Sequence, residues 1–319
     1  MSTPVTVYSS DDLGAPQVIE GRPSEYLEVL KKCLVEGYGS KPGAGWLLAH
    51  TQVVPPFLAL KNDTNKGASG GFIVFEAADN EPNTFVKGNY CYDWVSIGNA
   101  SNLGPNIGMQ ASTTNPADII KNWLIIATYY GFYMFAYKDS HKSQNALFSS
   151  TCICFYAGDL IPTIPNDPSR FITASGNTPT TSLSIHHSLT TRLPRSTSSP
   201  SGEVFGISNN TRSQFYLSSL FGLNNGSTQA IYRGTSPDIK LLSPVIILTG
   251  TKDRYNSLLC NDLETPYCRG IMPGAHISAE LGYSHVPMPH FKTINNISYW
   301  QMPDYSSDAS GAWINMEEW

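Results

Sequence analysis

Apolar residues return along this chain in two rhythms. Between Pro23 and Gly37 they recur every three or four positions, with Tyr26, Leu27, Leu30, Cys33 and Leu34 on one stripe. That is the spacing of a helix with a single buried face. Pro23 suits a first helical turn, and Glu28 precedes Lys31 and Lys32 in the favourable acid-before-base order. Gly37 supplies the stop and Gly39 a tight turn beyond it. A second, short helix is predicted from Asn115 and Pro116 through Asp118, Ile119 and Ile120.

Almost everywhere else the rhythm is that of strand and turn. Residues 45–50, 56–61, 71–77 and 84–95 are short apolar or alternating runs, separated by clusters such as residues 62–67 (Asn-Asp-Thr-Asn-Lys-Gly). Residues 123–128 and 131–138 predict a hairpin about Tyr129 and Tyr130, with a third strand over 146–156. This meander is apolar throughout, the mark of a buried sheet centre. Strand-like runs resume at 214–220, 229–233 and 241–249, and the chain closes on Tyr299, Trp300, Trp313 and Trp319. The fold class expected is mainly β, antiparallel and sandwich-like, with one N-terminal amphipathic helix and a minor α+β character.

Residues 161–203 are rich in Pro, Ser, Thr and Asn, and 196–202 predict the least order. We therefore expect a boundary near Pro165. Residues 1–165 would form a helix-plus-β domain, 166–212 a loop-rich segment, and 213–319 a β-rich region with an aromatic tail. No internal repeat is visible.

Composition narrows the function. Charged residues are 14% of the 319, against roughly a quarter in ordinary proteins, while hydrophobic residues are 41%. Neutral polar side chains lose less on desolvation than Lys or Glu, which suits lasting contacts. A loop-rich β-protein would show the same deficit. With a net charge of −5 and no Lys/Arg cluster, nucleic acid is not an expected partner. The longest apolar stretch, 123–137, is too short to span a bilayer, so no membrane role is expected. The N-terminus has no basic and apolar leader, which predicts synthesis in the cytoplasm without a signal peptide.

The search for chemistry yields little. Residues 67–71 match Gly-x-Ser-x-Gly around Ser69, but a loop precedes the serine and a strand pattern follows it. A nucleophile elbow needs a strand before the serine and a helix after it. The seven histidines, His50, His141, His186, His187, His276, His285 and His290, show no metal-binding spacing. The six cysteines contain no Cys-x-x-Cys pair and predict reduced, packed thiols. No phosphate loop is present, and the acid pairs Asp11-Asp12 and Glu317-Glu318 lie near the termini. We expect no enzyme activity, no catalytic residues, no cofactor and no metal.

Some of the sequence is more distinctive. The helix runs into Cys33-Leu34-Val35-Glu36-Gly37-Tyr38-Gly39-Ser40-Lys41-Pro42-Gly43-Ala44-Gly45-Trp46. With it go Val7 through Pro16, Trp123 through Ala127, Gly131 through Phe135, Gly158-Asp159-Leu160, and Arg269 through Gly274. In these pieces, spread over most of its length, the chain resembles an uncharacterised family of virion structural proteins of tailed bacteriophages. Its ending departs from the family pattern, reading Gly311-Ala312-Trp313 and continuing to Trp319, and residues 162–212 diverge too.

The resemblance implies a component of the phage particle, at the neck or collar, on the tail, or decorating the capsid. Its partners would be other virion proteins, and it would form a homo-oligomer by particle symmetry. It implies no catalytic residues. The structural and interface candidates are Gly37, Gly39, Lys41, Trp46, Tyr299, Trp300, Trp313 and Trp319. Gly37 and Gly39 would turn the backbone, Lys41 would cap the helix's last carbonyls, and Trp46 would cover the join. The four C-terminal aromatics would anchor an interface. A receptor-binding, fibre-like adhesin is the alternative, and a hydrolase has only the Ser69 match behind it.

Overall fold

The computed structural model describes residues 2–82, 84–101, 106–110, 119–142, 153–175, 202–205, 212–219, 242–252, 258–259, 268–278, 287–302 and 312–319. The first half comprises β1 (Thr6–Ser9), helix α1 (Pro23–Lys31) with a π-helical turn (Lys32–Glu36), then β2 (Leu47–Gln52), β3 (Phe57–Lys61), β4 (Phe72–Ala77), β5 (Phe85–Cys91), β6 (Asp93–Ser96), β7 (Asn99–Ser101) and β8 (Asn106–Gln110). The middle holds β9 (Asn122–Ala127), β10 (Gly131–Tyr137), β11 (Ile153–Asp159), β12 (Ile161–Pro162), β13 (Phe171–Ala174), β14 (Gly202–Phe205) and β15 (Arg212–Ser218). The rest is β16 (Leu242–Thr249), β17 (Thr251–Lys252), β18 (Leu258–Leu259), β19 (Cys268–Ser278), β20 (His290–Ile294), β21 (Ile297–Gln301) and β22 (Ala312–Asn315).

Apart from the two-stranded ribbons β6-β7 and β17-β18, these strands make three antiparallel layers. The central sheet runs β1-β9-β10-β11-β13 and is the predicted meander with a strand added at each edge. One outer sheet is β2-β3-β4-β5-β8; the other is β14-β15-β16-β19-β22-β21-β20, with β12 paired to β19. Alternate residues of β9, β10 and β11 enter different cores. Trp123, Ile125, Phe132, Met134 and Phe155 face α1 and the first outer sheet. Leu124, Ile126, Tyr133, Phe135 and Tyr156 face the second. A sheet covered on both faces has no polar face to show, which accounts for the unbroken apolar run.

Helix α1 forms as its periodicity predicts. The Glu25 carboxylate accepts from the Arg22 N–H at 2.9 Å, and Asn80 Oδ1 from Ser24 N at 2.9 Å, satisfying N-terminal donors. Leu27, Leu30 and Leu34 are buried in the first core, and Tyr26 reaches across to donate to the Ile120 carbonyl at 2.7 Å.

The boundary expected near Pro165 does not separate two units. β12 just before it belongs to the second outer sheet, and β13 just after it returns to the central sheet. The central sheet serves both cores, so neither side of Pro165 could keep its buried face covered alone. The predicted loop-rich segment contains β13 and β14. The predicted order of residues 196–201, most of the short helix from Asn115, the strand at 229–233 and the start of the strand at 146–152 lie outside the described residues.

Candidate functional site

The long stretch carrying the phage-family resemblance builds a clasp. Beyond the π-helical turn the chain doubles back, and its own N–H groups take the helix's last carbonyls. Gly37 donates to Lys32 O at 2.7 Å, Ala44 to Cys33 O at 3.0 Å, and Gly45 and Trp46 to Leu34 O at 3.1 and 3.0 Å. Gly37 and Gly39 make the turn with φ of 83° and 55°. A Cβ on Gly43 would run into the Val35 carbonyl, so the close return depends on that glycine. Trp46 is buried against Phe132 and Phe171, its indole N–H donating to Thr128 O at 2.9 Å.

Lys41 does not cap the helix. The backbone has already satisfied those carbonyls, and the ammonium instead contacts Val7 O at 2.7 Å and Asp12 Oδ2 at 2.6 Å. Tyr38 donates to the same carboxylate oxygen at 2.7 Å, and Ser9 N at 2.8 Å. Burial alone would raise the Asp12 carboxyl; the hydrogen bonds from Lys41, Tyr38 and Ser9 outweigh it and bring it below the usual range. Two pieces of the resemblance, Val7 to Pro16 and Cys33 to Trp46, are thus one spatial unit. It holds β1 to the helix end.

Asp159, at the end of β11, is the centre of a second polar knot. It is 3% exposed. Oδ1 accepts from Asn62 Nδ2 at 2.8 Å and from the Ser69 hydroxyl; Oδ2 accepts from Ser69 N at 2.7 Å and Arg170 Nε at 2.9 Å. Burial pushes its carboxyl above the usual range against the pull of Ser69 and Arg170. The backbone N–H groups of residues 67–71 are all taken within the protein. Gly67 N bonds Thr64 O, Ala68 N bonds Asp63 O, Gly70 N bonds Asn62 Oδ1 and Gly71 N bonds Ser69 Oγ. The Gly-x-Ser-x-Gly match is a self-satisfied loop whose serine donates to a carboxylate, not to a histidine base.

Next along the same seam, Arg269 Nη2 donates to Asp167 Oδ1 at 2.8 Å, and Nε lies 2.8 Å from Oδ2 off the line of a hydrogen bond. Neither side chain has any solvent exposure. Tyr133 donates to Pro273 O at 2.7 Å. The middle and late pieces of the resemblance therefore meet on the central sheet.

The described histidines are scattered. His50 lies against Phe57 and Trp94, His276 against Tyr299 and His290 against Trp313. Burial, with Lys138 beside it, lowers the His141 imidazole to about 4. Among the described residues no group of three His, Cys, Asp or Glu side chains could hold a metal ion, and no helix is long and apolar enough to cross a membrane. Among the described residues Cys33, Cys91 and Cys268 are free thiols.

The C-terminal aromatics are not exposed anchors. Trp300 and Trp313 are 0% exposed and Tyr299 5%. Trp300 packs on Phe135 in the second core, while Trp313 and Tyr299 fill a smaller cluster with Ile294 on the far face of their sheet. Trp319 is half-buried between Tyr130 and Tyr133, its N–H donating to Asn315 O at 2.8 Å. Sequence periodicity in β21 and β22 could have signalled this. Their neighbouring aromatic and aliphatic residues, Tyr299-Trp300 and Ala312-Trp313-Ile314, put apolar side chains on both faces of each strand.

Comparison with known proteins adds no identity: the chain matches no protein-family model and no curated protein.

Proposed function

We propose that this chain is a structural subunit of a tailed-bacteriophage particle, at the neck or collar, the tail or the capsid surface, acting through protein contacts. The observation that carries the reading is where the family-like residues sit. Lys41, Asp12, Tyr38, Trp46, Asp159 and Arg269 all bond within the framework. A chain whose distinctive residues hold a three-layer scaffold has its surface left for partners. That surface is short of charge, as befits permanent contacts with neighbouring subunits.

The test is on purified particles. The protein should copurify in a fixed ratio to the shell or tail proteins, and stay bound in about 1 M salt, where the Debye length is near 3 Å. Absence from washed particles would sink the proposal. Release by salt alone would mean that ion pairs hold it, against the surface described.

A further inference from the structure

The two carboxylate oxygens of Asp159 have separate duties. Oδ2 is taken by Ser69 N at 2.7 Å and Arg170 Nε at 2.9 Å. Oδ1 faces two groups that can react with each other. It accepts from the Ser69 hydroxyl and, at 2.8 Å, from the Asn62 side-chain amide. Those two also touch, with Ser69 Oγ 3.4 Å from Asn62 Nδ2.

The other requirements of an acyl transfer surround this contact. Asn62 Oδ1 accepts from Gly70 N at 2.7 Å, a fixed donor for the negative charge that gathers on a carbonyl oxygen under attack. Gly71 N donates to Ser69 Oγ at 3.2 Å, which steadies that oxygen as its proton leaves. Burial raises the Asp159 carboxyl, and its ionised form is the stronger base for it. Asn62 is 0% exposed and Asp159 3%, so water is kept from the reacting groups. β3 and β4 fix the two ends of the loop, and the entropy of bringing the groups together has been met by folding.

We propose that Ser69 and Asn62 join in an ester within the β3–β4 loop, with Asp159 carrying the proton between them. Ser69 Oγ bonds to Asn62 Cγ as its hydrogen passes to Asp159 Oδ1. The Cγ–Nδ2 bond then breaks, and Asp159 hands the proton to the departing nitrogen, which leaves as ammonia. Nothing else is consumed, and Asp159 is left beside Arg170 as it began. The reaction runs once per chain and closes the loop permanently. It is independent of the particle role: a particle subunit can lack the bond, and a chain with another role can carry it.

Mass spectrometry of the full chain tests it. The folded natural chain, kept at neutral pH, should weigh one ammonia less than its sequence. Trypsin cuts after Lys61, Lys66 and Lys87, so residues 62–66 and 67–87 should stay joined after digestion. Mild alkali should part them and leave a carboxylate at position 62. Ser69→Ala and Asp159→Asn should both keep the full sequence mass. A natural chain at its sequence mass overturns the proposal, whether or not either variant folds. So does a loss of ammonia that persists in Ser69→Ala, or one in which the two peptides separate, because Asn62 would then be closing on its own backbone.

Discussion

Ser69 is tied to Asp159 twice, through its backbone N–H at 2.7 Å and through its hydroxyl, although 90 residues separate them. One end of this tie is the loop between β3 and β4, the other the last residue of β11. It locks the first outer sheet to the central one. Ser69→Ala removes one charge-assisted bond and should cost about 1.5–3 kcal/mol in urea unfolding. Asp159→Ala leaves the Arg170 guanidinium without its carboxylate and should cost more, about 3 kcal/mol or above. Equal and negligible losses would show that the loop is not held there.

Leu30 has no solvent exposure and sits in the core that α1 shares with two sheets. Leu30→Ala should therefore destabilise by about 2–5 kcal/mol. Thermal unfolding that does not shift would mean that the helix is not docked.

The His141 side chain gives stability a pH dependence. Its imidazole is held neutral by burial and by Lys138, with its ionisation lowered to about 4 from an ordinary 6.5. The unfolded chain thus takes up a proton before the folded chain does. The stability linked to His141 is complete above about pH 6.5 and is lost as pH falls toward 4, by at most about 3 kcal/mol. Asp159, raised by burial, works with the opposite sign, so the comparison must be between variants. His141→Asn should flatten the slope of stability between pH 7 and 4. An unchanged slope would show that His141 is not its source.

Trp313 separates a core residue from an interface anchor. It has no exposure, and its N–H donates to Ser278 Oγ at 3.2 Å. Trp313→Ala should destabilise the isolated chain by about 3–5 kcal/mol. An anchor would leave the isolated chain unchanged and weaken only its attachment to a partner.

Much of this fold was legible from the pattern of side chains. The stripe from Tyr26 to Leu34 gave the helix, and the unbroken run through Trp123 and Phe135 gave a sheet buried on both faces. The boundary near Pro165 misled because composition reports local chain texture, whereas the pairings β11–β13 and β12–β19 are long-range. Lys41 misled for a related reason. It is close in sequence to the helix end, but the backbone of Ala44 to Trp46 reaches those carbonyls first. Nor could spacing foresee the Asp159 knot, since Asn62, Ser69 and Arg170 converge only when two sheets stack.

The first and last described strands of backbone also meet. Thr3 N donates to Trp319 O at 2.8 Å and Trp319 N to Thr3 O at 3.0 Å, with Val5 N on Glu317 O at 2.9 Å. Residues 3 and 319 are thereby stitched side by side. A marker fused beyond either residue would emerge at one place on the surface, giving an image of an assembly a single fixed landmark per copy.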